Sequence, residues 1–191
     1  MYSNNLIYHK DNNLPDDFCN HLINKFEKDQ RKHKGEVGQN VVREEIKQST
    51  DLHISSYPEW NEEDRILHEH LNQGLHEYVS SVSEHYQHCL TYSISDTGYQ
   101  IQKTLPMQYY AWHHDQSDLQ CRMLTYMWYL NTVERGGYTE FNSGEKIRAK
   151  QGKLLIFPAT WEYIHRGFPP YDESKYVCIG WTLYTGTNGI N

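Results

Sequence analysis

The stretch 122–131, RMLTYMWYLN, decides the fold. From Arg122 to Leu130 it is a continuous β-rich run. Side chains of a strand alternate between faces. Met123, Thr125, Met127 and Tyr129 therefore share one face, and Arg122, Leu124, Tyr126, Trp128 and Leu130 share the other.

Similar segments flank it. Tyr99 to Lys103 alternates, Met107 to Asp115 is extended and aromatic, and Gly136-Gly137 marks a turn before Tyr138 to Asn142. Gly152 precedes Lys153 to Phe157, and Tyr176 to Tyr184 closes the series. Short strands about ten residues apart predict a β-sandwich or jelly roll. Upstream the periodicity is helical. Leu14-Pro15-Asp16-Asp17 opens a helix carrying Phe18, Leu22, Ile23 and Phe26. Residues 28–40 read as a solvated loop, and Val41 to Ile54 as a short strand pair turning at Ser49-Thr50-Asp51. Pro58 starts a long helix striped by Trp60, Leu67, Leu71, Leu75, Tyr78, Val82 and Tyr86. The expected architecture is mainly β: an N-terminal helical segment, 1–90, packed on a jelly-roll core, 91–191, as one structural domain.

A chain of 191 residues buries a full core without staples. Its net charge of -7 argues against nucleic acid and anionic membranes as partners. No stretch reaches transmembrane length and the N-terminus lacks a signal peptide's apolar core, so the expected location is the cytoplasm, a host's if the gene is viral. Cys19, Cys89, Cys121 and Cys178 are scattered without a CxxC pair and read as reduced thiols. The polar surface, at a mean hydropathy of -0.86, suits a monomer.

Trp112-His113-His114-Asp115 carries the chemistry. On a strand His113 and Asp115 point one way and His114 the other. His165, after the strand LLIFPA, supplies a third ligand in a jelly roll. Two imidazoles and one carboxylate on one side of a metal are the facial triad of non-haem Fe(II) oxygenases. Lys175 begins the last strand and shares an inward face with Val177, Ile179 and Trp181. A buried lysine demands an anion, and an apolar slot ending in a cation fits a dicarboxylate, with Tyr129 as a second donor. His68 and His70 diverge on a helix, and His85 with His88 lacks a third ligand, so both pairs read as surface residues. Tyr110, Trp112 and Arg166, beside the ligands, are candidates for substrate contact.

The stretches YYAWHHD, RMLTYMWYLN, ERGGYTEF, GKLLIFPATW, HRG and SKYVCIGW, in this order between about 99 and 184, resemble the 2-oxoglutarate and Fe(II)-dependent oxygenases of the prolyl 4-hydroxylase-like branch. LPDDFCNHLINKF and STDLHI resemble the helical preface of small bacterial and viral members. The resemblance implies a double-stranded β-helix (a cupin-like jelly roll) and iron held by His113, Asp115 and His165. It implies 2-oxoglutarate held by Lys175 and Tyr129, with Met127 and Trp181 lining its site. It implies O2 as oxidant, ascorbate as reductant, and hydroxylation of a peptidyl proline or another protein side chain. Three alternatives stand beside it: a hydroxylase of a free amino acid or small molecule, a zinc-binding module, and a non-catalytic jelly roll. A dicarboxylate slot is superfluous in the last two.

Overall fold

The computed structural model describes residues 6–38, 41–82, 87, 94–117 and 119–184. Among them, eight strands form a major sheet. Its main path runs β1 (Tyr8–Lys10), β10 (Leu154–Pro158), β7 (Arg122–Tyr129), β12 (Lys175–Tyr184), β5 (Gln100–Thr104), β3 (Thr50–His53) and β2 (His33–Lys34), and β4 (Ile94–Asp96) joins the far end of β12. A minor sheet runs β6 (Tyr110–His113), β11 (His165–Gly167), β8 (Thr139–Phe141) and β9 (Lys146–Ile147). All described pairings are antiparallel, and the architecture is the expected double-stranded β-helix with N-terminal helices.

The two faces of β7 build two cores. Leu124, Tyr126, Trp128 and Leu130 pack with Leu22 and Phe26 of helix α1 (Asp16–Lys28) and with Leu67, Leu71 and Tyr78 of helix α2 (Asn61–Ser81). Met127 and Tyr129 pack instead between the sheets, with Leu155, Phe157, Phe141 and Val177. Trp128 is fully buried, and its indole N–H donates to Asn13 Oδ1 at 2.7 Å, satisfying its one polar atom. No helix among the described residues is long and apolar enough to cross a membrane.

Several local expectations change. Ser49-Thr50-Asp51 is not a turn, since Thr50 and Asp51 open β3. Asp51 spends its carboxylate on buried partners instead of capping a bend. Residues 28–40 are not wholly loop: His33 and Lys34 pair with Asp51 and Thr50 as the sheet edge. Pro58 starts a 3₁₀ turn, Pro58–Trp60, and the long helix follows at Asn61. HRG, at 165–167, is a strand too short for periodicity to reveal. The first ninety residues thus contribute β1, β2 and β3 as well as helices. Tyr86, the His85/His88 pair and Cys89 lie outside the described residues.

Gly180, in β12, marks a close approach. A Cβ there would stand 2.3 Å from both the Gly98 carbonyl oxygen and the Tyr126 hydroxyl. That hydroxyl donates to the same carbonyl at 2.8 Å, so neither atom yields freely. Gly180→Ala is expected to cost roughly 1–3 kcal/mol, read as a fall of several degrees in Tm by calorimetry; an unchanged Tm contradicts this packing.

Candidate metal centre

His113 ends β6, His165 begins β11, and the register sets them opposite one another. Asp115 follows two residues after His113, where the chain leaves the strand. These three residues bring one ligand atom each within 4.8 Å of one another and are the one such group of His, Cys, Asp or Glu among the described residues. Asp115 Oδ1 lies 3.7 Å from His113 Nε2, and Oδ2 lies 3.7 Å from His165 Nε2.

Surrounding groups fix the ligand forms. His113 Nδ1 lies 2.7 Å from the Ala111 carbonyl oxygen, and His165 Nδ1 lies 3.0 Å from that of Tyr163. A carbonyl only accepts, so in the neutral ring Nδ1 carries the proton and the Nε2 lone pair faces the cavity. Burial, reinforced by the neighbouring His165, holds the His113 imidazole far below its ordinary range and keeps it neutral. For Asp115 burial acts upward, but the two imidazoles and the Thr125 hydroxyl outweigh it and keep the carboxyl ionised. Thr125 Oγ1 donates to Asp115 Oδ2 at 2.6 Å. The Trp181 indole N–H adds to that pull without reaching hydrogen-bond geometry. Two imidazole nitrogens and one carboxylate are the donor set that a divalent cation takes, and they fit Fe(II) with positions left open.

The donors face a cavity of about 430 Å³ between the sheets. Met127, Val177, Ile179 and Trp181 line one side, as does Lys175, which is 5% exposed. No carboxylate among the described residues pairs with Lys175, and burial alone pulls its ammonium down to about 8. Gly167 lines the cavity beside Lys175, its backbone close to the ammonium. An unpaired buried ammonium beside open space is what the far carboxylate of a dicarboxylate would complete.

The other sequence candidates divide. Tyr129 is fully buried and does not line the cavity; its hydroxyl donates to Thr139 Oγ1 at 2.6 Å, and Thr139 does line it. Tyr110 lines the cavity and stacks on His113 with centroids 3.5 Å apart. Trp112 and Arg166 lie away from it. The Arg166 guanidinium sits 4.7 Å over the Trp112 ring, and its N–H groups go to Glu140. His114 is exposed at the rim, and the helix His68 pairs with Asp96.

Sequence reasoning missed Lys47, Asp51, His53, Gln100, Gln102, Thr104 and Arg122. All except Asp51, which holds Lys47 and Gln100 from behind, line the cavity. One signal was present: Gln100, Gln102 and Thr104 alternate along their strand as a polar face.

Residues 99–183 match the family model described as the 2OG-Fe(II) oxygenase superfamily. A search of curated proteins gives no match. Solved structures of the same fold include a viral collagen prolyl hydroxylase from Paramecium Bursaria Chlorella virus-1 in complex with 2OG, at a TM-score of 0.69 and 21% identity over 96% of this chain and 98% of that one. A Trichoplax adhaerens prolyl hydroxylase in complex with a hypoxia inducible factor peptide fragment gives 0.74 and 17%, over 95% and 84%. A Pseudomonas putida prolyl-4-hydroxylase gives 0.69 and 18%, over 94% of each chain.

Proposed function

We propose, on the premise that this chain is a 2OG-Fe(II) oxygenase like those prolyl hydroxylases, that it hydroxylates a peptide side chain, proline foremost. Fe(II) is held by His113, Asp115 and His165, and 2-oxoglutarate is held through Lys175. When bound, Fe(II) supplies the redox chemistry that couples decarboxylation of 2-oxoglutarate, to succinate and CO2, with transfer of an oxygen atom from O2 to a substrate C–H bond.

The chain's own groups do the rest. Backbone carbonyls of Ala111 and Tyr163 aim the imidazoles, and Thr125 holds Asp115. Lys175 gives the co-substrate a charge-assisted anchor. Tyr129 acts from behind by fixing Thr139. Met127, Val177, Ile179 and Trp181 exclude water along the slot. Ascorbate as reductant, a monomeric state and a cytoplasmic location complete the proposal. One observation carries it: the three ligands and the unpaired Lys175 open onto one cavity. That juxtaposition favours an oxygenase over a zinc hydrolase or a lectin.

The peptide reading is supported by the peptide held by the Trichoplax adhaerens enzyme of the same fold. Succinate formation should rise when blocked proline-containing peptides are supplied, with the peptide gaining one oxygen atom by mass spectrometry. Stimulation by free amino acids alone would move the assignment to a small-molecule hydroxylase.

Co-substrate affinity should depend on pH. Lys175 binds a carboxylate only when protonated, and its pKa is lowered to about 8. Affinity for 2-oxoglutarate should be level below that pH and fall up to about tenfold per unit above it. The same depression means that the unfolded chain holds this proton to higher pH than the folded chain, so the contribution of Lys175 to apo-protein stability rises as pH climbs from about 8. A flat affinity profile up to pH 10 would exclude Lys175 as the anchor.

A further inference from the structure

The inner face of the major sheet changes character between adjacent strands. On β7 and β12 it is largely apolar, with Met127, Val177 and Ile179. On β5 and β3 it is polar. Gln102 lies between Val177 and Asp51 in the register, and Gln100 between Ile179 and His53. Apolar residues would hold these strands together equally well, and buried polar groups are costly unless paired. Folding alone does not call for this wall.

Its hydrogen bonds run in one direction. Asp51 is fully buried and only accepts, taking Lys47 Nζ at 2.6 Å, Ser49 Oγ at 2.8 Å and Gln100 Nε2 at 3.4 Å. Gln100 Nε2 also faces His53 Nε2 at 3.0 Å, and the Asp51 carboxylate, which can only accept, sets the Gln100 amide with its nitrogen toward these two groups and its oxygen outward. Gln100 Oε1 accepts from Gln102 Nε2 at 2.7 Å. That bond fixes the second amide in turn and leaves Gln102 Oε1 as an acceptor with no described donor. Gln102 is half-buried and lines the cavity that holds the metal ligands.

We propose that Gln102, oriented through Gln100 by the Lys47–Asp51 pair, is a specificity-determining residue that selects a secondary amide N–H on the primary substrate. The inference rests on the oxygenase reading of the cavity. The wall is electrically neutral, because Lys47 and Asp51 satisfy one another at 2.6 Å. A neutral acceptor matches a neutral N–H donor. An ester or carboxylate would set acceptor against acceptor and leave the Gln102 oxygen without a donor from the substrate.

Three probes of near-identical shape test this: N-acetyl-L-proline N-methylamide, its methyl ester and its free carboxylate. Each is titrated calorimetrically, without oxygen, into protein loaded with Fe(II) and 2-oxoglutarate. The methylamide should bind roughly tenfold tighter than the ester or the carboxylate. Gln102→Leu should bring the three within about twofold of one another, and Gln100→Met should do the same by releasing the orientation of Gln102. Equal binding of methylamide and ester by the wild type, or a preference that survives Gln102→Leu, or no binding of any probe, would overturn the assignment. The visible absorbance of the loaded wild-type protein reports separately on iron and 2-oxoglutarate. A failure of the oxygenase reading is thus distinguishable from a failure at Gln102.

Discussion

Asp115→Ala abolishes turnover and weakens Fe(II) binding by roughly 100-fold or more. Asp115 is the one anionic donor of the triad, and it is 7% exposed. Its removal leaves two neutral imidazoles, which cannot balance a divalent charge in a site shielded from water. The Thr125 hydroxyl and the Trp181 indole then lose the carboxylate that they help to hold. Metal titration followed by calorimetry separates this from unfolding, because the apo-protein should still melt cooperatively. Thr125→Val gives the graded companion: one lost hydrogen bond to the ligand, and a fall of roughly 10- to 100-fold in metal affinity or activity. Wild-type iron affinity in Asp115→Ala would remove the triad from the account.

Lys175→Met raises the 2-oxoglutarate concentration needed for half-saturation by roughly 10- to 100-fold, the worth of one charge-assisted hydrogen bond, while Fe(II) still binds. The same variant should hold or raise the Tm of the apo-protein. An ammonium buried to 5% exposure with no carboxylate partner is a cost to the fold, and a methionine of similar length removes that cost. The pairing of weaker co-substrate binding with an undiminished Tm marks a binding lysine. A structural lysine would lose Tm and leave the 2-oxoglutarate requirement where it was.

The β-helix was legible because its central strands are long and alternate cleanly. From Leu124 to Leu130 the two faces as read are the two faces that build separate cores, whereas at the register shift that opens the strand the order reverses: Arg122 lines the cavity and Met123 packs against the helix-side core. His113 and Asp115 were legible through the period of a strand, and His165 through its place after a long apolar run. The minor-sheet strand at 165–167 was not, because three residues carry no periodicity. Tyr129 shows a limit of face assignment. It lies on the inward face as read, yet its hydroxyl is taken up by Thr139, a partner ten residues away that no local pattern reveals. Asp51 reads as a turn residue by type, and only the tertiary placement of Lys47 and Gln100 beside it makes it the anchor of a buried wall. Trp112 and Arg166 sit beside ligands in sequence and on the far face in space, because neighbours on a strand point apart.

The most direct test is anaerobic. Fe(II) and then 2-oxoglutarate are added to the apo-protein, and the visible spectrum is followed for the charge-transfer band of a keto acid chelated to ferrous iron. The expected result is a band that needs both additions and is absent from His165→Ala. A folded, metal-binding wild-type protein that gives no band would contradict the assignment of His113, Asp115, His165 and Lys175 to one iron and 2-oxoglutarate site.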